Sequence, residues 1–224
     1  MNTAINPAAS GRLLVKVCGM RDVSSLAEVA ALAPDFLGFI FVPASPRYVG
    51  TALAPEQLRA LPPHIRKVGV FVNETTAAIL ATARRFGLDA VQLHGQETPS
   101  QCQALSDEGL QIIKAFSVGE DFDQAELLPY VPHCDFFLFD TKGPAPGGNG
   151  VVFDWQQLAN YRLPTPYFLA GGLGPAHAAT LAALRLPGLA GIDLNSGFET
   201  SPGVKDAGRL QTMLNQLRPS AFSL

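Results

Sequence analysis

The stretch Leu13-Leu14-Val15-Lys16-Val17-Cys18-Gly19-Met20-Arg21-Asp22 decides the fold. A short apolar run rich in β-branched residues ends at Cys18, and Asp22 then offers a cap to the helix-periodic segment Val23 to Leu32. A strand that feeds directly into a helix is the building unit of an α/β protein. An open dinucleotide-binding sheet would want G-x-G-x-x-G at this first turn, and Cys18-Gly19-Met20-Arg21-Asp22 does not supply it. The turn suits the first unit of a closed barrel instead.

The same alternation continues along the chain. Further strands are expected at Phe36 to Phe41, Lys67 to Val72, Ala90 to Leu93, Gln111 to Phe116, Phe136 to Asp140, Tyr167 to Ala170 and Gly191 to Leu194. Helices are expected at Pro55 to Leu61, Thr75 to Phe86, Pro99 to Asp107, Asp123 to Pro129, Asp154 to Asn160, Pro175 to Leu184 and Lys205 to Leu217, with Pro55 and Asp154 as further start signals. Several strands are near-continuous apolar runs, as strands covered on both faces must be. Eight such units fill the 224 residues, and no linker or low-complexity segment divides them. The expectation is one (β/α)8 TIM barrel over residues 13–224, preceded by a disordered tail at 1–12 that lacks the apolar centre of a signal peptide.

Composition excludes several classes of function. With 47% hydrophobic residues and a formal charge of −3, the chain has ample core material and no basic surplus for nucleic acid or an anionic membrane. No apolar run reaches the ~20 residues that span a bilayer. Cys18, Cys102 and Cys134 are an odd, sparse set without C-x-x-C spacing. That argues against a disulfide framework or a zinc site and for a reducing, cytoplasmic location. The chain shows no apolar surface stripe, so a monomer is expected, with a dimer as the alternative.

Barrel enzymes place their chemistry at the C-terminal ends of the strands. Cys18 ends the first strand, His94 follows the fourth, Asp140 ends the sixth and Asp193 lies in the eighth. Strand periodicity puts Lys16 with Cys18, and Gln92 with His94, on shared faces. Singly, each has an ordinary structural explanation: a buried thiol, a helix cap, a core imidazole. Their shared location points to a site. Gly171-Gly172-Leu173 after the seventh strand and Asn195-Ser196-Gly197 after the eighth are the strongest ligand signal. Glycine lets main chain approach closely, and free amides in the last two loops are where barrels hold phosphate. Segment Thr141 to Val152, rich in Pro and Gly, is longer than an ordinary connection and reads as a lid or a surface loop. Arg47, in a loop stiffened by Pro43 and Pro46, is either a solvated charge or a planar partner for a carboxylate.

Assembled in order, these residues resemble the phosphoribosylanthranilate isomerase family. The resemblance is carried by Lys16-Val-Cys-Gly-Met20, Gly38-Phe-Ile-Phe-Val-Pro-Ala-Ser-Pro-Arg-Tyr48, Val68-Gly-Val-Phe-Val-Asn73 and Val91-Gln-Leu-His-Gly95. It continues through Phe139-Asp-Thr-Lys142, Gly147-Gly-Asn-Gly150, Phe153-Asp-Trp155, Ala170-Gly-Gly-Leu173 and Asp193-Leu-Asn-Ser-Gly-Phe-Glu199. It implies an Amadori rearrangement of a small phosphorylated aminosugar in tryptophan biosynthesis, an aldose-to-ketose isomerisation without metal or redox cofactor. By that match Cys18 is the general base, Asp140 the general acid and Arg47 the holder of the anthranilate carboxylate. Lys16, Gln92, His94 and Asp193 are expected against the substrate, and Gly171, Gly172, Leu173, Asn195, Ser196 and Gly197 against its phosphate. Asn149 and Gly174 depart from the residues frequent in that family.

The chemistry is demanding. Opening the furanose needs a proton on the ring oxygen, and forming the enolamine needs a proton removed from C2. With reference pKa values of about 3.9 and 8.5, a neutral carboxyl and a thiolate coexist at pH 7 in a fraction of roughly 10⁻⁴·⁵, about 6 kcal/mol. The environment is therefore expected to shift at least one group, with Lys16 as a stabiliser of the thiolate. A lyase of related phosphoribosyl substrates would favour a catalytic Lys with a Glu, and a silent phosphate-binding barrel has no need of Cys18 or Asp140.

Overall fold

Strand periodicity sorts the first strand cleanly: Leu14 faces the barrel axis with Lys16 and Cys18, whereas Val15 and Val17 join the apolar layer under the helices. The computed structural model describes residues 12–119, 121–141 and 154–218. Its strands are β1 (Leu14–Val17), β2 (Phe36–Ile40), β3 (Arg66–Phe71), β4 (Ala90–Leu93), β5 (Gln111–Val118), β6 (Phe136–Thr141), β7 (Tyr167–Leu169) and β8 (Leu189–Leu194). They run parallel in sequence order, and β1 pairs with β8 to close the barrel. Closure leaves no sheet edge, so the main-chain groups of every strand find partners on both sides.

The helices are α1 (Val23–Ala31), α2 (Pro55–Arg59), α3 (Thr76–Phe86), α4 (Pro99–Asp107), α5 (Ala178–Ala183) and α6 (Ala207–Leu217). Asp22, Thr75, Thr98 and Asp206 cap α1, α3, α4 and α6 through side-chain oxygens that accept main-chain N–H groups. Two expected helices are different structures. Gln124–His133 and Trp155–Leu158 are 3₁₀ turns. Pro129 and Pro132 interrupt the first, since neither has the N–H that an α-helical ladder requires. Pro175–His177 is likewise a 3₁₀ turn leading into α5. Lys205, expected to begin the last helix, sits instead in a small hairpin of β9 (Glu199–Ser201) and β10 (Val204–Lys205). The tail expected at 1–12 lies outside the described residues apart from Arg12. The lid expected over 141–152 lies outside them apart from Thr141.

At the N-terminal end of the barrel, Phe36, Phe136 and Phe168 pack edge-on or tilted, with centroids 5.0–6.2 Å apart, and plug the floor. Each buried phenylalanine contributes roughly 2–3 kcal/mol. The same end carries a repeated knot. Asp35, Asp89 and Asp135 stand just before β2, β4 and β6, and each carboxylate accepts an N–H from the preceding strand, of Val15, Lys67 and Ile112 respectively. Each aspartate's own N–H returns to the carbonyl of that same residue. The strand starts are thereby locked pairwise, which leaves the opposite end to be shaped by loops.

Candidate active site

The site is the last inward-facing layer of the barrel. Two residues above the apolar floor, the inward position of β1 is Lys16, and in register beside it on β8 is Asp193. Their side chains form a buried ion pair of 2.9 Å, and the Lys16 ammonium also acts electrostatically on the Cys18 thiol. Gly38 on β2 makes room, because a Cβ there would lie 2.7 Å from the Cys18 Sγ and 3.2 Å from the Lys16 Nζ. Cys18 is only 2% exposed, yet it lines the cavity above. Burial pushes its thiol up, and Lys16 pulls it back without cancelling the rise. The stabiliser anticipated from the sequence is thus present but outweighed. Burial pushes the Lys16 ammonium down, and Asp193 and Cys18 more than reverse this, leaving it above its ordinary value. Burial also raises Asp193, with Lys16 opposing and Asp140 reinforcing the rise.

Across the barrel, Asp140 is the last residue but one of β6, and its Oδ1 accepts the N–H of Thr141 at 2.9 Å. His94 follows β4 and sets its Nε2 3.4 Å from the Asp140 Oδ2. The Gln92 amide lies 2.8 Å from the His94 Nδ1. With the amide nitrogen as donor, Nδ1 is the acceptor, and Nε2 is the ring nitrogen that faces Asp140. Gln92 Oε1 and Asp193 Oδ1 are buried acceptors without a partner among the described residues. Buried polar atoms in a folded protein are nearly always paired, so such atoms beside a cavity mark where a ligand's donors belong.

One cavity of about 220 Å³ at this end of the barrel is lined by Cys18, Arg47, Gln92, His94, Asp140 and Asp193 together with the last two loops. Of the loop residues singled out in the sequence, Gly171, Gly172, Leu173, Asn195 and Ser196 line it. Gly197 does not; it packs behind the loop that follows β7 (loop 7, residues 170–174), where a Cβ would meet the Leu173 carbonyl at 2.2 Å. Lys16 lies beneath the cavity rather than in its wall. Among the described residues the main-chain N–H groups of Gly172, Leu173 and Ser196 have no acceptor. All three residues line the cavity, so these donors are available in its wall.

Two residues escaped the sequence reading. Glu199 grips Arg47 through both Nε and Nη2, at 2.7–3.0 Å, and Lys205 bonds Glu199 at 2.7 Å and the Asn195 Oδ1 at 2.8 Å. Pro202-Gly203, a turn dipeptide, was the signal that could have revealed the hairpin joining them.

Residues 15–216 match the family model for N-(5'-phosphoribosyl)anthranilate (PRA) isomerase. The N-(5'-phosphoribosyl)anthranilate isomerase of Phocaeicola vulgatus is 44% identical over 206 residues, covering 92% of this chain and 98% of that one. The crystal structure of phosphoribosyl anthranilate isomerase from Thermotoga maritima superposes with a TM-score of 0.80 at 33% identity, covering 92% of this chain and 98% of that chain. Another structure of such an isomerase, in complex with reduced 1-(o-carboxyphenylamino)-1-deoxyribulose 5-phosphate, has a TM-score of 0.76 at 31% identity, with the same two coverages.

Proposed function

Because the chain belongs to the N-(5'-phosphoribosyl)anthranilate isomerase family, we propose that it works with Cys18 as general base and Asp140 as general acid. Its reaction is the isomerisation of N-(5'-phosphoribosyl)anthranilate to 1-(2-carboxyphenylamino)-1-deoxyribulose 5-phosphate in tryptophan biosynthesis. The observation that carries the residue assignment is the single cavity whose wall contains both the thiol and the carboxyl group.

Asp140 donates a proton to the furanose oxygen, the C1–O bond breaks and the anilinic nitrogen takes up the positive charge as an iminium. Cys18 thiolate removes the C2 proton, and the electron pair of that bond neutralises the iminium to give the enolamine. Tautomerisation moves the O2 proton to C1 and leaves the ketone. Arg47 pairs with the anthranilate carboxylate. The N–H groups of Gly172, Leu173 and Ser196 receive the phosphate, while Gly197 supports that loop from behind. Gln92 Oε1 and Asp193 Oδ1 accept from ribose hydroxyls, and His94 orients Asp140. Lys16 acts through Cys18 and Asp193 rather than by touching the sugar.

Steady-state kinetics on N-(5'-phosphoribosyl)anthranilate test the assignment. Cys18→Ser and Asp140→Asn are each expected to lower kcat by ~10²-fold or more while KM changes little. Turnover near the wild-type rate in either variant removes that residue from the mechanism.

The 23.7 kDa chain is proposed to act as a cytoplasmic monomer. The large apolar side chains exposed among the described residues, Val23, Tyr48, Val72 and Leu128, fall at separate points of the chain, and the proposed base must stay reduced. Sedimentation at micromolar concentration is expected to give the mass of one chain, and twice that mass refutes the monomer. No helix among the described residues is long and apolar enough to cross a membrane.

A further inference from the structure

Arg47 reaches the cavity from the loop after β2, and its side chain is only 16% exposed. Its stem crosses Gly19, where a Cβ would lie 2.8 Å from the Arg47 Cδ. Its head is held from the opposite flank, 152 residues later in the chain, by Glu199. Both Nε and Nη2 donate to that carboxylate, which uses up one edge of the planar guanidinium. The Glu199 carboxylate is itself fixed by the Lys205 Nζ at 2.7 Å and the Gly203 N–H at 3.1 Å. The β9–β10 hairpin creates this arrangement, since its register sets Lys205 opposite Glu199.

We propose that Glu199 is a positioning residue for recognition of the substrate's aromatic carboxylate: it holds the Arg47 guanidinium so that only the edge bearing Nη1 is offered to the ligand. The inference rests on the reading of Arg47 as that carboxylate's partner. An arginine with a free head samples many rotamers, and binding must then arrest them; a head already clamped loses little on binding. Charge agrees with geometry. With Lys205 protonated, Arg47 and Lys205 carry two positive charges against one on Glu199, and the unit left over matches a single carboxylate. Burial pushes Glu199 up, but Arg47 and Lys205 together hold it below its ordinary value, so it is an anion at neutral pH.

The test compares two ligands by calorimetry: reduced 1-(o-carboxyphenylamino)-1-deoxyribulose 5-phosphate and its phenyl counterpart without the carboxylate. The wild-type protein is expected to prefer the carboxylated ligand, and Arg47→Ala to abolish the preference. Glu199→Gln is expected to cut the preference by about tenfold and to raise KM more than it lowers kcat. Glu199→Asp should recover part of the preference, and it stands in with the same readouts if the glutamine variant does not fold. If Arg47→Ala loses the preference while the Glu199 variants keep it in full, the positioning role is overturned and the Arg47 reading stands. If Arg47→Ala keeps the preference, the Arg47 reading and the inference fall together.

Discussion

Cys18 meets two opposed demands, since a base must ionise and a sealed thiol resists ionising. Burial lifts the thiol, and Lys16 only moderates the lift. The productive pair, thiolate with neutral carboxyl, is then a minority whose fraction stays constant between the two titrations. Each step up in pH gains thiolate and loses carboxylic acid by the same factor. The unshifted pair costs about 6 kcal/mol and the raised thiol adds to it, a sum that must still fit inside the barrier of about 16 kcal/mol that corresponds to a turnover of about 10 per second. A raised thiol moves the upper edge of that plateau to higher pH. We therefore expect kcat/KM to stay level through neutral pH and to fall only above the ordinary thiol range of about 8.5. A profile that climbs steadily from about pH 6 to 9 shows instead that no neutral acid is needed, and Asp140 loses its role.

Elements shape the site by close approach. Loop 7 turns at Gly171 with φ at +81°, and a Cβ there would lie 2.3 Å from the Thr141 Oγ1 and 2.6 Å from the Asp140 Oδ1. An alanine is strained in that backbone conformation and also displaces the proposed acid. Gly171→Ala is expected to lower kcat/KM by at least ~10-fold, about 1.4 kcal/mol of transition-state stabilisation. Wild-type kinetics in that variant refute the link between loop 7 and Asp140. Elements also show where pattern reading succeeds. Thr98 followed by Pro99 is a local signal, because the threonine oxygen accepts the Gln101 N–H and the proline occupies the first turn. The segments 124–133 and 155–158 carry similar aspartate caps yet form 3₁₀ turns. A cap announces where a helix starts, not how many turns tertiary packing and nearby prolines allow.

At the scale of the molecule, Asp35 ties the two ends of the described chain together at one end of the barrel. It accepts from the Val15 N–H, from Arg12 at 2.6 Å and from Arg218 just beyond α6. Removing its carboxylate strands a buried N–H and releases two guanidinium groups. Asp35→Ala is expected to destabilise the fold by about 2 kcal/mol, a fall in Tm of roughly 4–8 °C for a protein of this size. Because Asp35 lies at the end opposite the cavity, kcat at 25 °C should stay within about twofold of wild type. Thermal unfolding with unchanged Tm refutes the knot as a source of stability. The floor beside these aspartates is packed with phenylalanine, and the other end is open to ligand.

The alternation of apolar runs with capped periodic segments by itself determined eight strands in order, and hence which residues stand at strand ends. Strand periodicity, a local property, placed Lys16, Cys18, Gln92 and His94 on inward faces. Tertiary structure alone decided the Lys16–Asp193 pair, the meeting of His94 with Asp140 and the clamp of Glu199 on Arg47, whose members lie 46 to 177 residues apart. Contacts of that span depend on strand register and barrel closure, which no local pattern encodes. The sign of the Cys18 shift belongs to the same category, because it balances burial against a charge and both are set by the packed fold.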